Sequence, residues 1–313
     1  MMEKQRSIWR LPVIWKLLKA SFNGLKQNDP LRMAGATAFF TSFALPPIIV
    51  LLFQLFSIFF SRQLVRTEMG EALSATLGKE SAEQLRSTAR GFSNLAQNWY
   101  MAVIGLVFLI FIATTLFKVI RNTLNDIWNI HLEKTGFIYD LKVRGKSLVI
   151  IFIAAILFLT SSILDLIQAI AGNYIRRLWP NAAIFLTSII NEIAGVVVVA
   201  VWFIVVFRFL ANARPSWRAA SIGGILTGVL FFIGKTILST IMSNSNAGAI
   251  YGAGAAIVLI LLFVFYSSFI LYFGASFIKE YSLLTNDPIV PTSGAYQFKL
   301  QKVTDAKKDD QIC

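Results

Sequence analysis

Long apolar runs separated by short charged connections set the pattern of this chain. Runs of roughly twenty residues fall at 37–60, 99–117, 147–172, 184–210, 219–242 and 250–278, each long enough to cross a hydrocarbon layer about 30 Å thick as a helix. The last holds no charge before Lys279, while Pro46 and Pro47 interrupt the first and Lys235 the fifth. The pattern predicts an all-α, polytopic integral membrane protein with a six-helix bundle over 37–280, because a helix satisfies its own backbone groups where no water can.

The flanking segments have a different rhythm. Within 1–36, Leu11, Ile14, Trp15, Leu18, Phe22 and Leu25 share one side of a 3.6-residue helix and Lys16, Lys19, Asn23 and Gln27 the other, with Pro12 in its first turn. This predicts an amphipathic helix lying on the cytoplasmic leaflet; a soluble helix docked on the cytoplasmic loops is the alternative. The stretch lacks an apolar core and a cleavage site, so it is expected to be retained. Segment 61–98 reads as a helical hairpin covering the outer face, with Ser81 and Gln84 as a capping box ahead of Leu85, Thr88, Phe92 and Leu95. The tail, 281–313, turns polar and ends in Lys307, Lys308, Asp309 and Asp310, a solvated and disordered end.

Composition agrees with lipid as the solvent: of 313 residues 56% are hydrophobic and 14% charged, and mean hydropathy is +0.67. The net charge of +13 raises nucleic acid as a partner. The cations, however, sit between apolar runs and not on one aromatic-interleaved face, so the expected partner is anionic lipid and not nucleic acid. Of the 29 Lys and Arg, 21 fall in the two ends and the 118–146 and 208–218 connections, 7 in the other connections, and Lys235 within a span. By the positive-inside rule both termini are cytoplasmic. The single cysteine, Cys313, excludes a disulfide within the chain and a cysteine-based metal cluster, and it stands too late for a prenylation box.

Ionisable groups at span depth are costly and call for a reason. Asp165, Glu192 and Lys235 all fall about 10–12 Å below the outer surface at about 1.5 Å per residue. With Gln168, Asn191 and Tyr251 they form a candidate outer polar pocket; a structural ion-pair network with Lys235 reaching toward the surface is the competing reading. A second, basic layer at the cytoplasmic ends comprises Lys118, Arg121, Asn122, Asn125 and Arg208. Spacings of three and four put Arg121, Asn122 and Asn125 on one helical face, suited to an anionic head group, or to plain anchoring at the interface. Between the layers Pro46 and Pro47 are expected to break the first span, as helices break at transporter sites. Gly224-x-x-x-Gly228 and Gly248-x-x-x-Gly252-x-x-x-Ala256 allow close helix contact.

Three segments stand out as motifs: Asp29, Arg32 and the run Ala36 to Pro47; Asn125 to Trp128; and Arg208 through Glu280, with Ala-Asn-Ala-Arg-Pro-Ser-Trp-Arg at 211–218, Gly223-Gly224, Tyr251-Gly252-Ala253 and Gly274-Ala275. Together they resemble the YihY / virulence factor BrkB family of bacterial inner-membrane proteins. Ala211 and Phe263 depart from the proline and tryptophan expected there. The resemblance implies a six-helix inner-membrane fold and no settled activity. Members have carried the label ribonuclease BN, but RNA cleavage needs clustered metal ligands or an acid/base pair. Here the single His131 stands in a loop beside Glu133, and no Walker A, G-x-S-x-G or dinucleotide motif occurs. No cofactor or metal is therefore expected. The expectation is a non-enzymatic, multi-pass inner-membrane protein, a transporter or permease for an anionic or amphiphilic, envelope-lipid-like substrate; the alternative is a structural protein that organises the envelope.

Overall fold

Nearly every described residue is helical in the computed structural model, which describes residues 11–59, 61–77, 79–94, 99–133, 144–157, 160, 180–244 and 255–298. In chain order the helices are α1 (Leu11–Lys26), α2 (Pro30–Phe59), α3 (Arg62–Leu77), α4 (Lys79–Asn94) and α5 (Trp99–Ile127). After the short strand β1 (Ile130–Leu132) come α6 (144–157) and α7 (Pro180–Val205), which runs into a π-helical turn, Val206–Leu210. Strand β2 (Ala213–Arg214), α8 (Trp217–Asn244), α9 (Ala255–Thr285), β3 (Val290–Pro291) and β4 (Ala295–Gln297) complete the fold. Glu192–Leu210, Trp217–Leu238 and Ile257–Thr285 are long and apolar enough to cross a membrane. The protein is a helical membrane protein on these grounds.

Helix α9 is central and touches α1, α2, α4, α5 and α8. It is apolar on every side, as a helix surrounded by protein and lipid must be. Small residues set the closest approach: a Cβ on Gly228 would come within 3.0 Å of the Ala200 backbone, and one on Gly224 would meet Ile204, so α7 and α8 pack nearly backbone to backbone. Buried hydroxyls bridge helices as well. Thr37 of α2 and Tyr272 of α9 share a 2.5 Å hydrogen bond in the interior.

Several expectations are corrected. Helix α2 runs unbroken through Pro46 and Pro47; a proline in a long helix removes one donor, and neighbouring helices can hold the turn in place of the missing bonds. Helix α4 starts at Lys79, so Ser81 lies inside its first turn and not at the cap. Helices α3 and α4 pack on each other and on α2. The helical class stands; joined to it are two small pairs of strands, β1 with β4 and β2 with β3, both antiparallel. His131 therefore sits in a strand, opposite Tyr296. The span expected to close at 278 continues to Thr285, and residues 287–298 form a strap with two short strands; the end of the tail, expected to be disordered, lies outside the described residues.

Helix α1 docks on α9. Its Leu17, Ser21 and Leu25 are buried, and Ser276 Oγ donates to Ser21 O at 2.7 Å. Trp15 and Phe22, 71% and 43% exposed, point the other way, with the Lys26 ammonium 4.9 Å from the Phe22 ring. The buried stripe follows 17, 21 and 25, so only part of the predicted apolar face meets protein.

Candidate functional site

The C-terminal ends of α5, α7 and α9 and the start of α8 meet at one end of the bundle, where the strands lie. Helix α5 stops at a left-handed Asn129 (φ 56°), and α9 at a left-handed Asn286 (φ 54°), asparagine being one of the few side chains that tolerate that region. Trp128, fully buried, donates its indole N–H to Ala275 O at 2.9 Å, and Lys279 Nζ donates to Ile127 O at 2.7 Å. These bonds pin the end of α5 to α9.

The π turn redirects the chain as it leaves α7. One extra residue per turn shifts the helical register, and π segments recur at functional sites. Here it ends at the extended Ala211 (φ −71°, ψ 167°). Three groups then hold the Ala211–Asn212 backbone: Lys146 Nζ donates to Ala211 O at 3.1 Å, Asn125 Oδ1 accepts from Asn212 N at 2.9 Å, and Thr292 donates to Asn212 O through both N and Oγ1 at 2.9 and 3.0 Å. Arg208, within the π turn, donates to Pro215 O and lies 5.1 Å from the Trp217 ring centroid. Ser216 Oγ accepts from Ala219 N at 3.2 Å, capping α8.

The result is an open cleft of 440 Å³ lined by Arg208, Arg214, Ser216, Asp287 and the strap residues 288 and 290–293. Behind it lie more cations. Arg121 is only 2% exposed, and its charge, with that of Arg214, bears on Lys146. Burial first, and those two neighbours second, push Lys146 down to about 8. Arginine stays charged in any such setting. No ion pair joins Arg208, Arg214 or Lys146 to an acid among the described residues. A concave, cation-rich wall with hydroxyls and a helix N-terminus has the chemistry to bind a phosphate or carboxylate.

Of the predicted basic layer, Arg121, Asn125 and Arg208 belong to this end, and Lys118 is half-buried one turn back on α5. Asn122 does not join them: it is exposed, because it sits about 100° around the helix from Arg121. Lys146, Arg214 and Asp287 were not singled out by the sequence; only Arg214 left a trace, inside the 211–218 motif.

The outer pocket is only partly in view. Asp165, Gln168 and Tyr251 lie outside the described residues, and Asn191 is placed only as part of α7. Glu192 is exposed and Lys235 half-buried. Since Gly228 lies against Ala200, Lys235, seven residues on, and Glu192, eight residues back, stand at levels that differ by about 1.5 Å. No ion pair joins them. Elsewhere, His131 is exposed, with Tyr296 and Phe298 ring centroids 5.8 and 6.2 Å away. Among the described residues no group of three or more His, Cys, Asp or Glu is placed to hold a metal.

Comparison with known proteins bears on the whole chain. The family described as virulence factor BrkB matches residues 21–291. A UPF0761 membrane protein of Teredinibacter turnerae is 24% identical over 271 residues, covering 85% of this chain and 60% of that protein. One from Saccharophagus degradans is 26% identical over 250 residues, covering 79% and 55%, and one from Mannheimia succiniciproducens is 24% identical over 264 residues, covering 83% and 88%. The chain thus spans little more than half the length of the first two relatives. No solved structure matches. The match over residues 21–291 takes in most of the bundle, the π turn and all of the cleft but Thr292 and Ser293, and by it the chain belongs to the virulence factor BrkB family of membrane proteins.

Proposed function

We propose that this is a non-enzymatic inner-membrane protein of six spans, both termini cytoplasmic, that binds and moves an anionic or amphiphilic, envelope-lipid-like substrate. The observation that carries the reading is the cleft in which Arg208 and Arg214 stand without an acidic partner among the described residues, at the end of the bundle where helix ends give way to strands, an end this reading assigns to the head-group layer. Asp165, Glu192 and Lys235, with Gln168, Asn191 and Tyr251, are assigned to the opposite side of the same path, and Lys118, Arg121 and Asn125 to the near side. The non-enzymatic part rests on the sequence, which lacks a hydrolytic motif. Arg214, exposed and paired with no acid among the described residues, is the cleanest residue to change. Reconstituted Arg214→Gln protein is expected to move a fluorescent anionic lipid several-fold more slowly at unchanged abundance; wild-type rates at unchanged abundance would sink the reading.

A structural role in the envelope is the second reading, favoured by one observation: α1 is anchored to α9 yet presents Trp15 and Phe22 outward beside Lys19 and Lys26. Such a face suits the anionic leaflet. Crosslinking of partners that disappears when α3 and α4 are deleted, with lipid movement intact, would favour it.

A further inference from the structure

Two helix ends of opposite sign line one cleft. Arg208, Arg214 and Ser216 belong to it, the last capping the N-terminus of α8, whose leading amides carry partial positive charge. So does Asp287, just past Thr285 at the C-terminus of α9, where the last carbonyls carry partial negative charge. The turn that puts it there is fixed: Asn286 is left-handed and Asp287 N donates to Ser282 O at 3.0 Å. Asp287, whose charge also bears on Tyr281, lines the same cleft as the two guanidiniums without an ion pair to either.

A site for a bare anion loses affinity from a carboxylate in its wall, because like charges repel. A ligand with separated positive and negative groups matches a lining that holds both signs unpaired with each other. The space is adequate, since 440 Å³ lies within the range of about 300–1,000 Å³ typical of small-ligand sites. The lining also offers Thr292 and Ser293, hydroxyls that accept N–H donors, and it contains no aromatic ring of the kind that holds a quaternary ammonium. We infer that the cleft takes a zwitterion, a phosphate ester bearing a primary ammonium, with the phosphate against Arg208, Arg214 and Ser216 and the ammonium against Asp287. This rests on the anion-binding reading of the cleft and adds the positive half of the ligand. The same chemistry occurs in a lipid head group and in a free phosphorylated amino alcohol.

The test is calorimetric titration of the full chain in detergent with dihexanoyl phosphatidylethanolamine, dihexanoyl phosphatidylcholine, dihexanoyl phosphatidylglycerol and free phosphoethanolamine. The ethanolamine lipid is expected to bind about tenfold tighter than the other two lipids, the worth of one charge-assisted hydrogen bond. Asp287→Asn should erase that preference without weakening the glycerol lipid, and Arg214→Gln should weaken all three lipids. Free phosphoethanolamine binding as tightly as the lipid would identify a soluble ligand, and weaker binding a lipid; both agree with the zwitterion. Equal wild-type affinity for ethanolamine and glycerol lipids overturns the zwitterion but leaves the anion site standing, and this comparison needs no variant to fold. Lipid affinity that Arg214→Gln leaves unchanged overturns both.

Discussion

The two charged layers of this molecule are built in different ways. At the strand-bearing end Asn125, Lys146 and Arg208 are each fixed by a backbone partner: Asn125 by Asn212, Lys146 by Ala211, Arg208 by Pro215. In the opposite layer Glu192 and Lys235 stand level with each other, but no ion pair joins them. A group whose position is set by neighbouring backbone is part of the fold and of the site at once. A group that shares only a level with its neighbour can be altered with less structural consequence.

That contrast can be broken by mutation. The largest effect is expected for Asn125→Leu, which removes the acceptor for Asn212 N in a buried place and should cost about 1–3 kcal/mol of stability. Thermal unfolding in detergent measures it, and a loss near zero would mean that the Ala211–Asn212 turn is held well enough without it. Next is the response to alkali. Lys146 is held at about 8 in the folded chain against 10.5 otherwise, so between those values the unfolded chain binds more protons and stability should rise as pH climbs. Lys146→Met should flatten this rise in a pH series of unfolding midpoints. A slope shared by wild type and variant would assign the effect to another group. The smallest effects, within about 0.5 kcal/mol, are expected for Glu192→Gln and Lys235→Gln. If either variant instead collapses in abundance, the outer layer is as firmly built as the basic end.

Much of the helical architecture was legible because long apolar runs dictate it: α2, α5, α7, α8 and α9 each overlap a predicted span. Leu11–Lys26 is helical too, but of its buried Leu17, Ser21 and Leu25 only Leu25 lies on the apolar face that the amphipathic period marked. What escaped was set by tertiary contact. Strands of two or three residues have no period to detect, and β1 and β4 lie more than 160 residues apart in the chain. Lys146 and Arg214 become neighbours only once α6 and the turn after α7 meet. Pro46 and Pro47 misled because the local cost of a proline was taken to decide the helix, when packing decided it. Asn122 misled because spacings of three and four tolerate a broader face than a single site can use.

The strap has a consequence for how the protein is made. Hydrophobic helices can enter a bilayer one after another as they emerge, but β1 waits for Ala295–Gln297 and β2 for Val290–Pro291. Until those last residues leave the ribosome, the turns after α5 and α7 lack their strand partners, and Asn212 O lacks Thr292. Insertion can therefore be well advanced while the polar end is still unfinished, and a chain cut short before residue 287 would keep its hydrophobic helices but not its cleft.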